Sequence, residues 1–271
     1  MPRILDYTGN DVSRSVTVAS IIASKDSDQP LTQVTASTAA EAAAAEAAGI
    51  EMVACLSDFV PQVREGSSSL FVTAAIDFSG AVSDDDLLAE AYTALTAGAD
   101  AVITARRLKA VKRIASEDIP VMGHLGFVPK KSTLYGGVRA VGNTAIEAKK
   151  LWKQFRRLED AGAFAVECEL IPERVMTEIN KRTGLVTISL GSGRNADVMF
   201  LFTSDICGQG ERIPRHARAY GDLPSLEAKV REARVAALTA YRADVLAGNY
   251  PGDAEVAAIA DDEFESFLSK L

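Results

Sequence analysis

The stretch LTQVTASTAAEAAAAEAAGIEMVACL, residues 31–56, contains one full period of the pattern that sets the fold. Leu31–Ala36 is short and rich in apolar and β-branched residues, as a strand requires. Thr38–Ala48 is almost entirely Ala and Glu, both strong helix formers. Ala48-Gly49 then ends the helix with the residue that most easily takes a left-handed C-cap. Met52–Leu56 is a second strand. Outward from this unit, six more runs read as strands: Leu70–Ile76, Ala101–Thr104, Pro120–Leu125, Phe164–Leu170, Val186–Leu190 and Val198–Thr203. The gaps between them have helical periodicity. Ser83 followed by Asp84, Asp85 and Asp86 is an N-cap with acids in the first turn, where the helix dipole favours negative charge. Ala145–Ala161 and Pro172–Arg182 follow the same logic, and the Ala-Gly ending recurs at Ala97-Gly98 and Ala161-Gly162. Eight strand–helix units predict an α/β fold, a (β/α)8 TIM-type barrel. Extra helices are expected at the N-terminus (Asp11–Ser24) and C-terminus (Pro224–Ala247), followed by an acidic segment, Asp253–Leu271. No linker interrupts residues 1–271, so a single barrel domain is expected.

The bulk properties agree with this. A chain of 271 residues, 48% hydrophobic, suits a barrel that typically needs about 250. The net charge of −8 argues against a nucleic-acid partner, which calls for a basic face, and fits an acidic cytoplasmic protein. The N-terminal MPRILDYTGNDVSR has no apolar core, so no secretory leader is expected. Apolar runs are too short to cross a membrane. The three cysteines, Cys55, Cys168 and Cys207, form neither a disulfide framework nor a metal-type spacing. Cys55 and Cys168, inside apolar runs, read as core residues.

Barrel active sites lie at the C-terminal ends of the strands, which nominates Ser57 and Asp58, Asp77, Arg106 and Arg107, His124, Glu167 and Glu169, and Gly191-Ser192-Gly193. Period-2 alternation places Glu167 and Glu169 on one face. A carboxylate there is either an acid/base with a tuned pKa or half of a structural ion pair. His124, in Val121-Met-Gly-His-Leu-Gly126, is flanked by glycines that let a ligand approach the backbone. Gly191-Ser192-Gly193 is either an anion-receiving turn or a plain tight connection. Arg106 and Arg107 begin a basic helix, and a guanidinium at the barrel mouth could grip a carboxylate or phosphate.

Taken together, these segments resemble a known family. VMGHLGFVP (Val121–Pro129) and YGGVRAVG (Tyr135–Gly142) resemble the G-H-x-G-x-x-P and G-G-x-x-x-x-G segments of ketopantoate hydroxymethyltransferase. LEDAGAFAVECELIP (Leu158–Pro172) is similar to its A-G-A…E-C-x-P stretch, with Glu169 at the position of the catalytic carboxylate. ISLGSG (Ile188–Gly193) with Asp197, then Ile213–Ala219 and Asn249–Gly252, continue the match. The resemblance implies a barrel of the phosphoenolpyruvate mutase-like superfamily that acts on a 2-oxo acid or its enolate. It also implies Mg2+, methylenetetrahydrofolate as one-carbon co-substrate, Glu169 as acid/base with His124 beside it, and a homo-oligomer, commonly a decamer.

The departures are equally specific. Aligned on the family motifs, Ser57, Ala75 and Ala105 stand where the family has metal-binding acids. That leaves Asp58 and Asp77 as the nearby carboxylates for a hard cation, which needs oxygen ligands. Arg106 and Arg107 are the alternative means of neutralising an anionic small-molecule substrate, with Ser57, Asp58, Ser192 and Gly193 as further contacts. Three readings follow: a hydroxymethyltransferase-like enzyme of aldol type; a C–C lyase of the isocitrate lyase or phosphoenolpyruvate mutase type; or an inactive paralogue that still binds ligand.

Overall fold

The computed structural model describes residues 3–25, 27–76, 80–210 and 212–271; Asp77 therefore lies outside the described residues. Eight parallel strands form a closed barrel: β1 (Leu31–Thr35), β2 (Met52–Leu56), β3 (Phe71–Ala75), β4 (Ala101–Ile103), β5 (Val121–Gly126), β6 (Ala165–Glu169), β7 (Val186–Leu190) and β8 (Val198–Leu201). Each strand pairs with its successor, and β8 closes on β1 with Val198 opposite Leu31 and Phe200 opposite Gln33. The strands coincide with the eight runs read from sequence to within two residues at either end. Thr38 caps the helix Ala39–Ala47, and Ser83 caps Asp84–Thr96 in a reciprocal capping box with Asp86.

The N-terminal helix is shorter than the sequence predicts. It covers only Val18–Ala23, and Thr17 caps it by accepting the Ser20 N–H. Asp11–Val12 pairs instead with Ile4–Leu5 as a two-residue antiparallel ribbon. Val12, Val16 and Thr17 are β-branched and costly at the start of a helix, and the Thr17 hydroxyl fixes the later starting point.

Strand alternation divides the core into two layers. Met52, Phe71, Met122, Val186 and Val198 fill the barrel interior, while their neighbours Val53, Val72, Val121 and Val166 face the surrounding helices. Each such buried side chain contributes roughly 1.5–3 kcal/mol, against about 0–1 kcal/mol for an exposed ion pair. The two apolar layers therefore dominate stability. At the N-terminal ends of the strands, Asp100 accepts from Arg14 Nε at 2.7 Å, Arg64 Nη2 at 2.6 Å and the Val72 N–H at 2.8 Å. On the opposite side of the barrel's foot, Asp197 accepts from Lys25 Nζ at 3.2 Å and the Thr187 N–H at 2.7 Å. The opposite end of the barrel opens into a cavity.

Contacts divide the chain into two compact units. One comprises Met1–Ile206 and Gly210–Ala219 and contains the barrel; the other comprises Cys207–Gln209 and Tyr220–Leu271. Within the second unit lie the helices Leu223–Ala247 and Asp261–Leu268. The longer one begins at Asp222, whose carboxylate accepts the Ser225 N–H, and ends at the left-handed Gly248. Among the described residues no helix is long and apolar enough to cross a membrane.

Candidate active site

Strands β5 and β6 bring the candidate acid/base groups together. Their register sets His124 opposite Glu167 and Gly126 opposite Glu169. Because side chains alternate along a strand, His124, Glu167 and Glu169 all turn inward. His124 Nε2 lies 3.0 Å from Glu169 Oε2 and 3.6 Å from Glu167 Oε1. The two glutamates are only 9% and 8% exposed, yet both line a cavity of about 450 Å³ at the C-terminal ends of the strands, together with His124. Its walls are mostly apolar: Ala75, Ala105 and Phe200 contribute, with Lys130 and the Thr104 side chain among the polar exceptions.

Two glycines make this register possible. A β-carbon at Gly123 would come within 2.4 Å of Leu158, so glycine there lets the helix Ala145–Asp160 pack against β5. Gly126 has φ +89°, and a β-carbon there would stand 2.2 Å from the Glu169 carbonyl oxygen. That carbonyl accepts the Phe127 N–H at 2.7 Å, tying the end of β5 to the residue that carries the carboxylate.

Burial of the His124 ring works against its protonation. The hydrogen bond to Glu169 and the charges of Glu167 and Glu169 outweigh that effect, and the pKa is raised. An imidazolium N–H donating to a carboxylate is the stronger, charge-assisted form of this bond. Glu167 is also raised, chiefly by burial and further by the Glu169 charge, with His124 opposing. Cys55 also lines the cavity, but burial pushes its thiol up to about 12. At neutral pH it is a thiol rather than the thiolate that nucleophilic chemistry needs.

The other residues nominated from sequence are placed elsewhere. Ser57 donates its hydroxyl to Glu90 Oε1 at 2.6 Å. Asp58 is exposed and is not among the cavity's lining residues. Arg106 turns away from the cavity and donates to the carbonyls of Ala81 and Val82 at 2.9 and 2.8 Å. Arg107 pairs with Asp84 at 3.0 Å. Ser192 is buried; it donates to the Cys168 carbonyl at 2.6 Å and accepts the Ile171 N–H at 2.9 Å. The Gly193 carbonyl accepts from Ser189 at 2.8 Å. The Gly191-Ser192-Gly193 turn thus fastens β7 to the end of β6, and its hydrogen bonds explain it without an anion. Both arginines are held by local acceptors on the preceding segment, which sequence alone does not reveal. Sequence reasoning did not single out Glu167 as a partner of His124, although its two-residue spacing from Glu169 was visible. It also missed Lys130 and the aromatic wall of Phe59, Phe200 and Phe202.

The described residues do not fit the Mg2+ that the family resemblance implies. Ala75 and Ala105 present methyl groups to the cavity where oxygen ligands are required, and the Ser57 hydroxyl is engaged by Glu90. The donor atoms of His124, Glu167 and Glu169 do lie within 4.8 Å of one another. That set contains an imidazole, which suits transition ions better than Mg2+.

A closed parallel barrel with an imidazole and two carboxylates at the C-terminal ends of adjacent strands defines a (β/α)8 protein with a candidate acid/base site. The ketopantoate hydroxymethyltransferase family profile matches residues 55–253, and the chain belongs to that family. It is 34% identical over 202 residues to the 3-methyl-2-oxobutanoate hydroxymethyltransferase of Kosmotoga olearia, covering 73% of each chain. It is 35% identical over 170 residues to the enzyme of the same name from Pyrobaculum islandicum, spanning 62% of each. Among solved structures, 2,3-dimethylmalate lyase aligns with a TM-score of 0.53 at 13% identity, covering 81% of this chain and 86% of that one. Phosphonopyruvate hydrolase in complex with oxalate and Mg++ aligns at 0.51 and 13%, covering 94% and 96%. At such identities the structural likeness concerns the fold.

Proposed function

We propose that the barrel mouth converts a small 2-oxo acid to its enol and directs C3 of that enol into aldol-type carbon–carbon bond formation. By family membership, 3-methyl-2-oxobutanoate is the first substrate to test and methylenetetrahydrofolate the first one-carbon donor. The observation that carries this reading is the 3.0 Å contact between His124 and Glu169, two groups at the family's motif positions on the wall of a cavity large enough for a branched 2-oxo acid.

On this reading the roles divide between two residues. Glu169 takes the C3 proton, which the adjacent carbonyl makes acidic, and His124 holds Glu169 in orientation through their hydrogen bond. A positioned base of this kind typically accelerates proton transfer about 10²–10⁴-fold. The apolar wall around Phe200 and Ala75 receives the substrate's alkyl branch and limits water at the reacting carbon. Among the described residues, Ala75 and Ala105 offer no oxygen ligand, so the proton transfers fall to Glu169 and its neighbours.

The test is hydrogen–deuterium exchange at C3 of 3-methyl-2-oxobutanoate in D2O, followed by proton NMR. Enzyme-dependent exchange, with ketopantoate formed once methylenetetrahydrofolate is added, is the expected result. Exchange without product would keep the enolising site and reject the folate donor. No exchange would reject the reading.

A further inference from the structure

Among the described residues, Glu167 and Glu169 are the only carboxylates on the cavity wall, which is apolar at Ala75 and Ala105, so negative charge on the substrate's C2 oxygen needs a donor there. We propose that Glu167 is a further catalytic residue, a neutral carboxylic acid that gives its proton to the C2 oxygen as Glu169 removes the proton from C3. This rests on the enolisation reading above and goes beyond it, since that reading uses only Glu169 and His124.

Three observations carry the assignment. The first is proton accounting. The far side of the imidazole is hydrogen-bonded to the backbone at Phe127, so one N–H, on Nε2, faces the two carboxylates. Glu169 is nearer, at 3.0 Å against 3.6 Å, and takes it. The second is charge. Two carboxylates and one imidazolium leave a net negative charge in a buried site, which is costly; one further proton makes the cluster neutral. Glu167 is the group placed to hold it: it is the carboxylate without the imidazole proton, and burial together with the Glu169 charge favours its acid form. The third is placement. Glu167 lines the cavity itself, so its O–H can reach a bound ligand. Among the described residues, the charged or titratable groups around it are His124 on β5, Glu169 and Cys168 on its own strand, and Cys55 and Lys130 on the cavity wall, while β7 offers Ile188 and Leu190.

The step balances without an added reagent. The C3–H pair becomes the C2–C3 double bond, and its proton passes to Glu169. The carbonyl π pair moves to the C2 oxygen, which takes the proton from Glu167. The new Glu167 carboxylate is compensated by the imidazolium 3.6 Å away. When C3 attacks a one-carbon carbonyl electrophile, the electrophile's π pair moves to its oxygen, which takes the proton held by Glu169, while the C2 carbonyl re-forms and the other proton returns to Glu167. Nothing is oxidised or reduced.

The experiment measures C3 deuterium exchange of 3-methyl-2-oxobutanoate by the full chain after EDTA treatment, for the parent and for Glu167→Gln and Glu167→Leu, with thermal unfolding as a check on folding. Removing a preorganised donor to an oxyanion costs about 10²–10³-fold. Glu167→Leu should therefore lose at least 100-fold. Glu167→Gln, which keeps an N–H donor but cannot transfer a proton, should be at least tenfold faster than Glu167→Leu, and its alkaline limb should shift from the parent's. Exchange by Glu167→Leu within threefold of the parent would overturn the proposal. So would a folded Glu167→Gln as slow as Glu167→Leu, or parent exchange that disappears with EDTA and returns with Mg2+. A parent that never exchanges C3 rejects the enolisation reading itself, and with it this one, before any variant is compared.

Discussion

The carbonyl oxygen of Glu169 accepts the Phe127 N–H across a gap that exists because Gly126 has no β-carbon. The backbone that carries the candidate base is thereby fixed to the strand that carries its imidazole partner. Gly126→Ala should break this arrangement on two counts. The residue has φ +89°, and the added carbon would lie 2.2 Å from the Glu169 oxygen. Left-handed strain alone costs about 1–3 kcal/mol. A fall in chemical-denaturation stability of at least that size, with loss of C3 exchange, is the expected result. An unchanged denaturation midpoint would show that the ends of β5 and β6 are not coupled this tightly.

Glu169→Gln tests the base directly. The amide keeps the size of the side chain and can still accept a hydrogen bond from His124, but it cannot take up a proton from carbon. Exchange should drop about 10²–10⁴-fold, with unfolding temperature changed little. Separate kcat and KM values discriminate here: a base acting in the transition state lowers kcat, whereas a residue that merely binds substrate raises KM.

The same cluster should make stability fall as pH rises. His124 has a raised pKa, so its stabilising contribution is complete below its unfolded value near 6.5 and is lost as pH rises through the folded value. Glu167 is also raised, so the folded state holds its proton more tightly than the unfolded chain does, and stability falls as pH rises past the unfolded value. Both effects have the same sign, since stability declines wherever the folded state binds more protons. Urea denaturation at stepped pH should show this decline in the parent and a shallower one in Glu167→Gln. A parent whose stability rises over that interval would contradict the charge assignment.

On the acid side, a different pair should matter. Arg139 binds Glu147 through two nitrogens, at 3.2 and 2.7 Å. With the Gly142 and Asn143 N–H groups, this holds the Glu147 pKa down to about 2. A depressed carboxylate stabilises the fold above its unfolded value and loses that contribution as pH falls toward the folded one. Glu147→Gln should therefore lower stability above about 4.5, where the contribution is complete, change it little near pH 2, and flatten the curve between those values. Thermal scans across that range provide the check. The pair is partly exposed, so added salt should weaken the effect.

The barrel was legible because its signals are local. Strand alternation, the caps at Thr38 and Ser83 and the Ala-Gly helix endings each need only a few adjacent residues. His124 and Glu169 were legible as candidates for the same reason, being motif residues at strand ends. What sequence could not show was the aim of side chains with more than one available partner. Arg106 meets the Ala81 and Val82 carbonyls, Ser57 meets Glu90, 33 residues away, and Ser192 is used up in joining β6 to β7. Glu167 lies between the two cases. Its face could be read from period 2, but its nearness to His124 depends on the register of two strands whose paired residues are 43 apart in the chain.

The foot of the barrel gives the altered mouth its evolutionary latitude. Asp100, gripped by Arg14 and Arg64, and Asp197, bound to Lys25, lie at the strand ends remote from the reaction cavity. Cohesion there does not draw on any side chain of the rim. A lineage with this architecture can therefore exchange rim acids for methyl groups, and one catalytic strategy for another, while the scaffold beneath keeps its shape.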